Sequence, residues 1–324
     1  MNYIAGIDIG GTKCSVVLGR QTGEQELQII KKNTFKTEVP KGPEHSIQKI
    51  FGNLKELIGS NIVDSIGISC GGPLDSKRGL ILSPPNLKGW DNIPIVQMVK
   101  ETFGIKTYLQ NDANACALAE WNFGAARGFS NVVFLTFGTG MGAGLILDNR
   151  LYPGTNDMAG EIGHIRLSEH GPVGYGKEGS FEGFCSGGGI AQIAQTKITE
   201  QLQLGCSVPF LENIDEISAK TIAEAAYAGD ELAKEIYDIS GSKLGFGLSV
   251  LIDILNPEII VIGSIFERCR SLLWPAAEKV LIAESLSSSR RACRIVASGL
   301  GDDLGSIAAL SVAIYGGKNE KNHL

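Results

Sequence analysis

Three short stretches of this 324-residue chain carry groups suited to handling phosphate. In "GIDIGGTK", Asp8 ends an apolar run and is followed by Gly10, Gly11, Thr12 and Lys13. Glycine amides let a backbone approach an anion closely, the hydroxyl and the ammonium add donors, and the carboxylate can orient a hydrated cation. Those groups suit a nucleoside triphosphate with Mg²⁺. "FGTGMGAGL" offers the same chemistry again through Gly138, Thr139 and Gly140. One such turn is equally an ordinary tight hairpin, whereas a polyphosphate held by both explains the pair together. The spacing is not that of a GxxxxGK[ST] loop, and no dinucleotide fingerprint opens a helix here.

The third stretch, "LQNDANACALAE", puts Asn111 and Asp112 between a short strand and a helix, where side chains of α/β folds face a ligand crevice. Asp112 has a local reading as an acid at a helix start, and Asn114 can cap that helix. Beside a phosphate site, an aspartate can also take the proton of an attacking hydroxyl, a contribution of roughly 10²- to 10⁴-fold. Asn86, Asn111, Asp112, Glu161, His164 and Glu182 form a set of amide and acidic hydrogen-bonders suited to a hydroxyl-rich sugar. Trp90 reads as the hydrophobic anchor of a surface turn. His164 with His170, Glu178, Glu182 and Cys185 forms no recognised zinc spacing.

The elements that must position these groups follow from hydrophobic patterning. Residues 3–9 and 14–18 read as strands of a glycine-tipped hairpin, and 132–147 repeat the design. Between them the sequence predicts a helix over 46–57, a strand over 64–70, a helix over 95–103, the short strand "TYLQ" and a helix from Asn114. From Ile190 the chain is helix-rich, then "PEIIVIGS" reads as a buried strand, "GSIAALSVAIYG" as a final helix and "GKNEKNHL" as a frayed tail. Strands alternating with helices define an α/β architecture. The expected division is 1–118 and 119–304, two hinged domains sharing a cleft, with a C-terminal helix over about 305–318 that can pack back on the first.

Composition removes several function classes. A net charge of −6 with scattered Lys and Arg argues against a nucleic-acid surface. No run is long and apolar enough to cross a membrane and no leader pattern opens the chain, so the expectation is a soluble cytoplasmic protein. Seven widely spread cysteines without a CxxC pair imply neither a disulfide framework nor a zinc ribbon.

The motifs "GIDIGGTK", "GGPLD", "SPPNLKGW", "QNDANACALAE", "FGTGMGAGL", "AGEIGH", "LNPEIIVIG" and "GDDLGSIAAL" occur in that order, and the chain resembles the ROK family of bacterial sugar kinases and repressors over about residues 3–316. The resemblance implies the actin-like ATPase and hexokinase fold and ATP-dependent phosphorylation of a hexose, glucose first, at the 6-hydroxyl. It implies Asp8, Gly10, Gly11, Thr12 and Lys13 as the first phosphate motif with Mg²⁺ held through water on Asp8, and Gly138, Thr139 and Gly140 as the second. Gly263 and Ser264 then form the adenosine-side turn, and Asp112 is the general base. Gly72, Asn86, Asn111, Glu161, His164 and Glu182 bind the sugar, and a homodimer is the family's usual state.

Two departures stand out. The family's zinc loop, CxCGxxGCxE, aligns on "VGYGKEGSFE", so its cysteines fall on Val173, Tyr175 and Ser180, and no structural zinc is expected. Packing by Val173, Tyr175 and Phe181 would then hold Glu182. Ser264 stands where the family commonly has glycine. The family's repressors carry a DNA-binding module ahead of the first phosphate motif, where this chain has Met1 to Ala5, so a sugar-responsive regulator is the remote alternative and a catalytically weak sugar-binding protein the other.

Overall fold

The structure, a computed structural model, describes residues 3–23, 25–213 and 216–322. In chain order its strands and helices begin with β1 (Tyr3–Ile9), β2 (Lys13–Gly23), β3 (Glu26–Lys36), α1 (Pro43–Ile58), β4 (Val63–Cys70), β5 (Leu74–Asp75) and β6 (Leu80–Ile81). There follow α2 (Ile95–Phe103), β7 (Lys106–Asn111), α3 (Asp112–Phe123), β8 (Val132–Leu135), β9 (Ala143–Leu147), β10 (Arg150–Leu151), β11 (Val173–Gly174) and β12 (Lys177–Glu178). The remainder is α4 (Phe181–Phe184), α5 (Gly187–Gln203), α6 (Ala219–Tyr227), α7 (Glu231–Leu255), β13 (Ile259–Ile262), α8 (Ile265–Glu284), α9 (Ser287–Ala292), β14 (Arg294–Ala297) and α10 (Leu304–Asn322).

The chain folds as two compact units, one made of residues 1–130, 144–159 and 299–324 and the other of 131–143 and 160–298. This division departs from a cut at 118, because α3 runs to Phe123 and its buried Glu120 receives the amide of Ala125 at 2.7 Å and that of Gly299 at 3.0 Å. One carboxylate therefore ties the end of α3 to the segment that returns from the second unit's sequence.

The first unit is built on a five-stranded sheet in the order β3-β2-β1-β4-β7. β1 pairs antiparallel with β2 and parallel with β4, which pairs parallel with β7. Alternation sorts the side chains: Ala5, Ile7, Ile9, Val16, Leu18, Ile66 and Ile68 point into a core completed by Ile47, Ile50 and Leu54 of α1 and by fully buried Trp90. Ile4 and Val17 face the other way, onto Leu310 and Ala313 of α10. That helix sits unusually close to the sheet. A Cβ on Gly67 would lie 2.1 Å from the Ala309 carbonyl oxygen, and the Ser65 hydroxyl donates to the Ala313 carbonyl at 3.3 Å. Here α10 continues through Asn322, where the sequence predicts a frayed tail from Gly317; residues 323 and 324 lie outside the described residues.

The second unit carries three parallel strands, β8 and β14 on either side of β13, each fully or partly buried. Helix α7 packs along α8, starting from an Asp230 side chain that accepts the Ala233 amide and ending at Asn256 in the left-handed region.

Gly67 is the position that admits α10, since a methyl group there overlaps helix backbone that cannot move aside. Gly67→Ala is expected to lower unfolding free energy by about 3 kcal/mol, at the upper end of overpacking costs, while Gly317→Ala, which meets nothing within 4 Å and lies inside α10, is expected to raise it by up to about 1 kcal/mol; denaturant titration of both variants measures the difference.

Candidate functional site

In the first unit, the carboxyl ends of β1, β4 and β7 lie side by side, with Asp8 opposite Ser69 and Cys70 opposite Asn111. Open α/β sheets present ligand groups at this edge. The turn from Gly10 to Lys13 is tied by the Gly10 amide to the Lys13 carbonyl at 3.1 Å, and the Thr37 hydroxyl donates to the Gly10 carbonyl at 2.6 Å. Gly11 lies against the backbone of Asn86, 2.6 Å from its carbonyl oxygen to an added Cβ, and Gly72 lies 3.1 Å by the same measure from the Asn111 amide nitrogen. The 10–13 turn, Gly72, Asn86, Asn111 and Asp112 are thereby brought together, and Thr12, Lys13, Asn86 and Asp112 are solvent-exposed.

Asn111 is the N-cap of α3, accepting the Ala113 amide at 2.9 Å, so Asp112 is the first helical residue; Asn114, a candidate cap from sequence, lies within the helix and donates to Gln110 at 3.2 Å. The Ala113 amide also reaches Asp112 Oδ1 at 2.8 Å. The Asp8 carboxyl is pushed up to about 7, mainly by burial and next by the charge of Asp112, with a Ser69 hydrogen bond and the lysines at 13 and 32 opposing. Asp112 is also raised, by the protein crowding a carboxyl that still reaches solvent, while the Ala113 amide works the other way. Two acids of high proton affinity at one edge are hard oxygen donors, a set that fits a hydrated divalent cation on Asp8. Ser69 and Gly305, which stands 3.2 Å from Asp8 Oδ2 to an added Cβ, were not singled out in sequence; only the pairing of β1 with β4 and the seating of α10 reveal them.

The second unit gathers the other predicted groups around the turn at Gly138 to Gly140. The Gly138 amide donates to the Gly140 carbonyl at 3.1 Å, and the Gly138 carbonyl accepts the amide of Gly187, at the start of α5, at 2.8 Å. Ser264 Oγ lies 3.4 Å from a Cβ built on Gly138, so the 263–264 turn borders the turn at Gly138 to Gly140. Ser264 itself has φ 60 and ψ −111, a strained region for a residue with a side chain. Glu182 Oε2 accepts the Met141 amide at 3.0 Å. Glu161 and His164 are exposed, and the His164 carbonyl accepts from Lys177 at 2.6 Å.

The predicted support of Glu182 is partly wrong. Phe181 is fully buried, but Val173 is 47% and Tyr175 64% exposed, so neither packs beneath the acid. Tyr175 and Gly176, both at positive φ, form the two-residue turn joining β11 to β12, and the Tyr175 ring meets the His164 ring edge-on at 6.3 Å. Glu182 is held instead by hydrogen bonds to the main chain on either side of it: the Ser180 hydroxyl caps α4 by accepting the Gly183 amide at 3.1 Å, and the Phe181 amide donates to the Ile165 carbonyl at 2.8 Å. Among the described residues no group of three or more His, Cys, Asp or Glu stands together as a metal cage.

Fold and site place the chain with the two-domain α/β proteins of the actin-like, hexokinase-like class. The sequence profile of the ROK family matches residues 4–315, and the chain belongs to that family. It is 30% identical over 310 residues to a glucokinase from Thermotoga maritima, covering 95% of this chain and 96% of that one. A xylose repressor from Caldicellulosiruptor bescii is 30% identical over 81% of this chain and 65% of its own length. In three dimensions the chain matches a ROK family glucokinase from Streptomyces griseus, solved in complex with glucose and AMPPNP, with a TM-score of 0.80 and 28% identity, covering 97% of this chain and all of that one.

The Asp8 carboxyl gives a stability test with a defined sign. Its folded-state value near 7 against the ordinary 3.8 means that the folded chain binds an extra proton between those values, so its contribution is complete below pH 3.8 and is lost as pH rises to about 7. Asp8→Asn is expected to stabilise the metal-free protein at about pH 8 by roughly 1–4 kcal/mol and to flatten its pH dependence. Unfolding in chelator at about pH 5 and pH 8 checks this, and a variant as pH-dependent as the wild type removes the assignment.

Proposed function

We propose that this ATP-dependent sugar kinase phosphorylates glucose or a related aldohexose at the 6-hydroxyl, with Asp112 as general base. The observation that carries the reading is the position of Asp112: an open carboxylate at the head of α3, on the strand edge that also holds Asp8 and the glycine turn. The sugar oxygen attacks the γ-phosphorus, its proton passes to Asp112, and the bond to the leaving ADP oxygen breaks. A carboxylate whose proton affinity is raised takes that proton more readily than an ordinary one. Asn86, Asn111, Glu161, His164, Glu182 and the Gly72 backbone hold the hydroxyls, and Thr12, Lys13, Thr139 and the turn amides hold phosphate. The Gly263 and Ser264 turn takes the adenosine side. Asp8 would hold Mg²⁺ through water, and the ion would supply charge neutralisation on the phosphates.

Asp112→Asn keeps the shape and hydrogen bonds but cannot accept the proton. We expect kcat to fall at least about 10²-fold with KM for ATP nearly unchanged, assayed by coupled ADP release against glucose, N-acetylmannosamine, N-acetylglucosamine, fructose and allose. Near-normal kcat in the variant rejects Asp112 as base, and no turnover of any of the sugars by the wild type rejects the hexose assignment.

We also propose that the loop from 173 to 180 holds no structural zinc, because Val173, Tyr175 and Ser180 offer no thiolate and main-chain bonds and the 175–176 turn shape the loop. Chelator with excess Mg²⁺ is expected to leave activity intact, and metal analysis to find far less than one zinc per chain. Stoichiometric zinc, or activity restored only by zinc, would refute this.

A further inference from the structure

Within the second unit, Glu182 is bonded to the phosphate turn itself. Its Oε2 accepts the Met141 amide at 3.0 Å, and the same oxygen lies 2.8 Å from a Cβ built on Gly140. The other side of Met141 is equally engaged: its carbonyl oxygen lies 2.2 Å from a Cβ built on Gly163, which would also stand 3.2 Å from Glu182 Cβ. Gly163 sits between Glu161 and His164, so the segment bearing two proposed sugar ligands, the third ligand and the phosphate turn form one packed block. No side chain larger than hydrogen at 163 is compatible with it.

This arrangement has a consequence for the order of events. A carboxylate on the turn occupies an amide that directly follows Gly140 and puts an acidic group beside the turn to which the proposed function assigns phosphate, and both effects oppose nucleotide binding. A sugar hydroxyl donating to Glu182 offers the carboxylate another partner and spreads its charge. Resting on the sugar-kinase reading, we propose that Glu182 is a gate as well as a sugar ligand: it restrains the Gly138–Met141 turn against nucleotide until sugar takes the carboxylate, so the two substrates bind with positive coupling.

The test separates this role from a plain sugar contact by leaving sugar out. AMPPNP binding with Mg²⁺ is measured by calorimetry on the wild type, Glu182→Ala and Glu182→Gln, with thermal transitions confirming that each is folded. A gate predicts that sugar-free AMPPNP binds Glu182→Ala on the order of fivefold or more tightly than wild type, the lower range of typical site-to-site coupling. Glu182→Gln, which keeps an acceptor for Met141 but loses the charge, is expected to fall between the two. In the wild type, saturating glucose is expected to tighten AMPPNP by a comparable factor. If both variants bind sugar-free AMPPNP within about twofold of wild type, the gate is overturned whatever their loss of sugar affinity. Failure of the kinase reading shows elsewhere, as wild-type protein that turns over none of the five sugars, so the two failures are distinct.

Discussion

The first unit depends on a helix being allowed to touch a sheet. Gly6 and Gly67 stand beside each other on adjacent strands, in register, and give α10 a surface without side chains. Ordinary helix-on-sheet packing keeps backbones apart by the thickness of two side-chain layers; here an Ala309 carbonyl rests on Gly67 directly. The same face of β1 carries Asp8 two residues beyond Gly6, and the first turn of α10 carries Gly305 against its carboxyl. Seating the helix therefore encloses the acid, and the enclosure raises its proton affinity. A packing requirement and an electrostatic property of the site share one cause.

The second unit solves a related problem with main chain. Glu182 lies beside the turn at Gly138 to Gly140, and the loop that precedes it holds its course through a Ser180 cap, a 175–176 turn and backbone contacts of Gly163 and Gly174 rather than through side-chain packing. Val173 and Tyr175 are free of that duty, which explains why they are exposed. Met141 then links everything: amide to Glu182, carbonyl toward Gly163.

The parts legible from sequence are those whose chemistry is local. Asp8 with its glycines, Asp112 at a strand-helix junction and the helix over 95–103 follow from spacing within a dozen residues, and the ordered motifs carried the family. β3 is absent from the sequence reading because it is an edge strand in which Lys31, Lys32 and Lys36 interrupt the apolar Leu27, Ile29 and Phe35, so its period-2 signal is weak. The compact units differ from a cut at 118 because that cut falls inside α3, whose Glu120 meets Gly299 across 179 positions. Ser69, Gly305 and the Met141 bond arise from register and loop packing, which no single stretch contains. Tyr175 was misjudged as packing because hydrophobicity alone says nothing about a left-handed turn position.

Ser65 and its α10 partner Ala313 are 248 residues apart. During synthesis, Gly6, Ser65 and Gly67 are emitted within the first seventy residues but wait for their cover until all of the second unit's sequence has been made. At roughly 5–20 residues per second that delay is about 12–50 seconds. Ile4 and Val17 are uncovered meanwhile. The second unit, whose sequence is wholly emitted before α10, is under no such wait, so the part of the chain begun first is the part finished last.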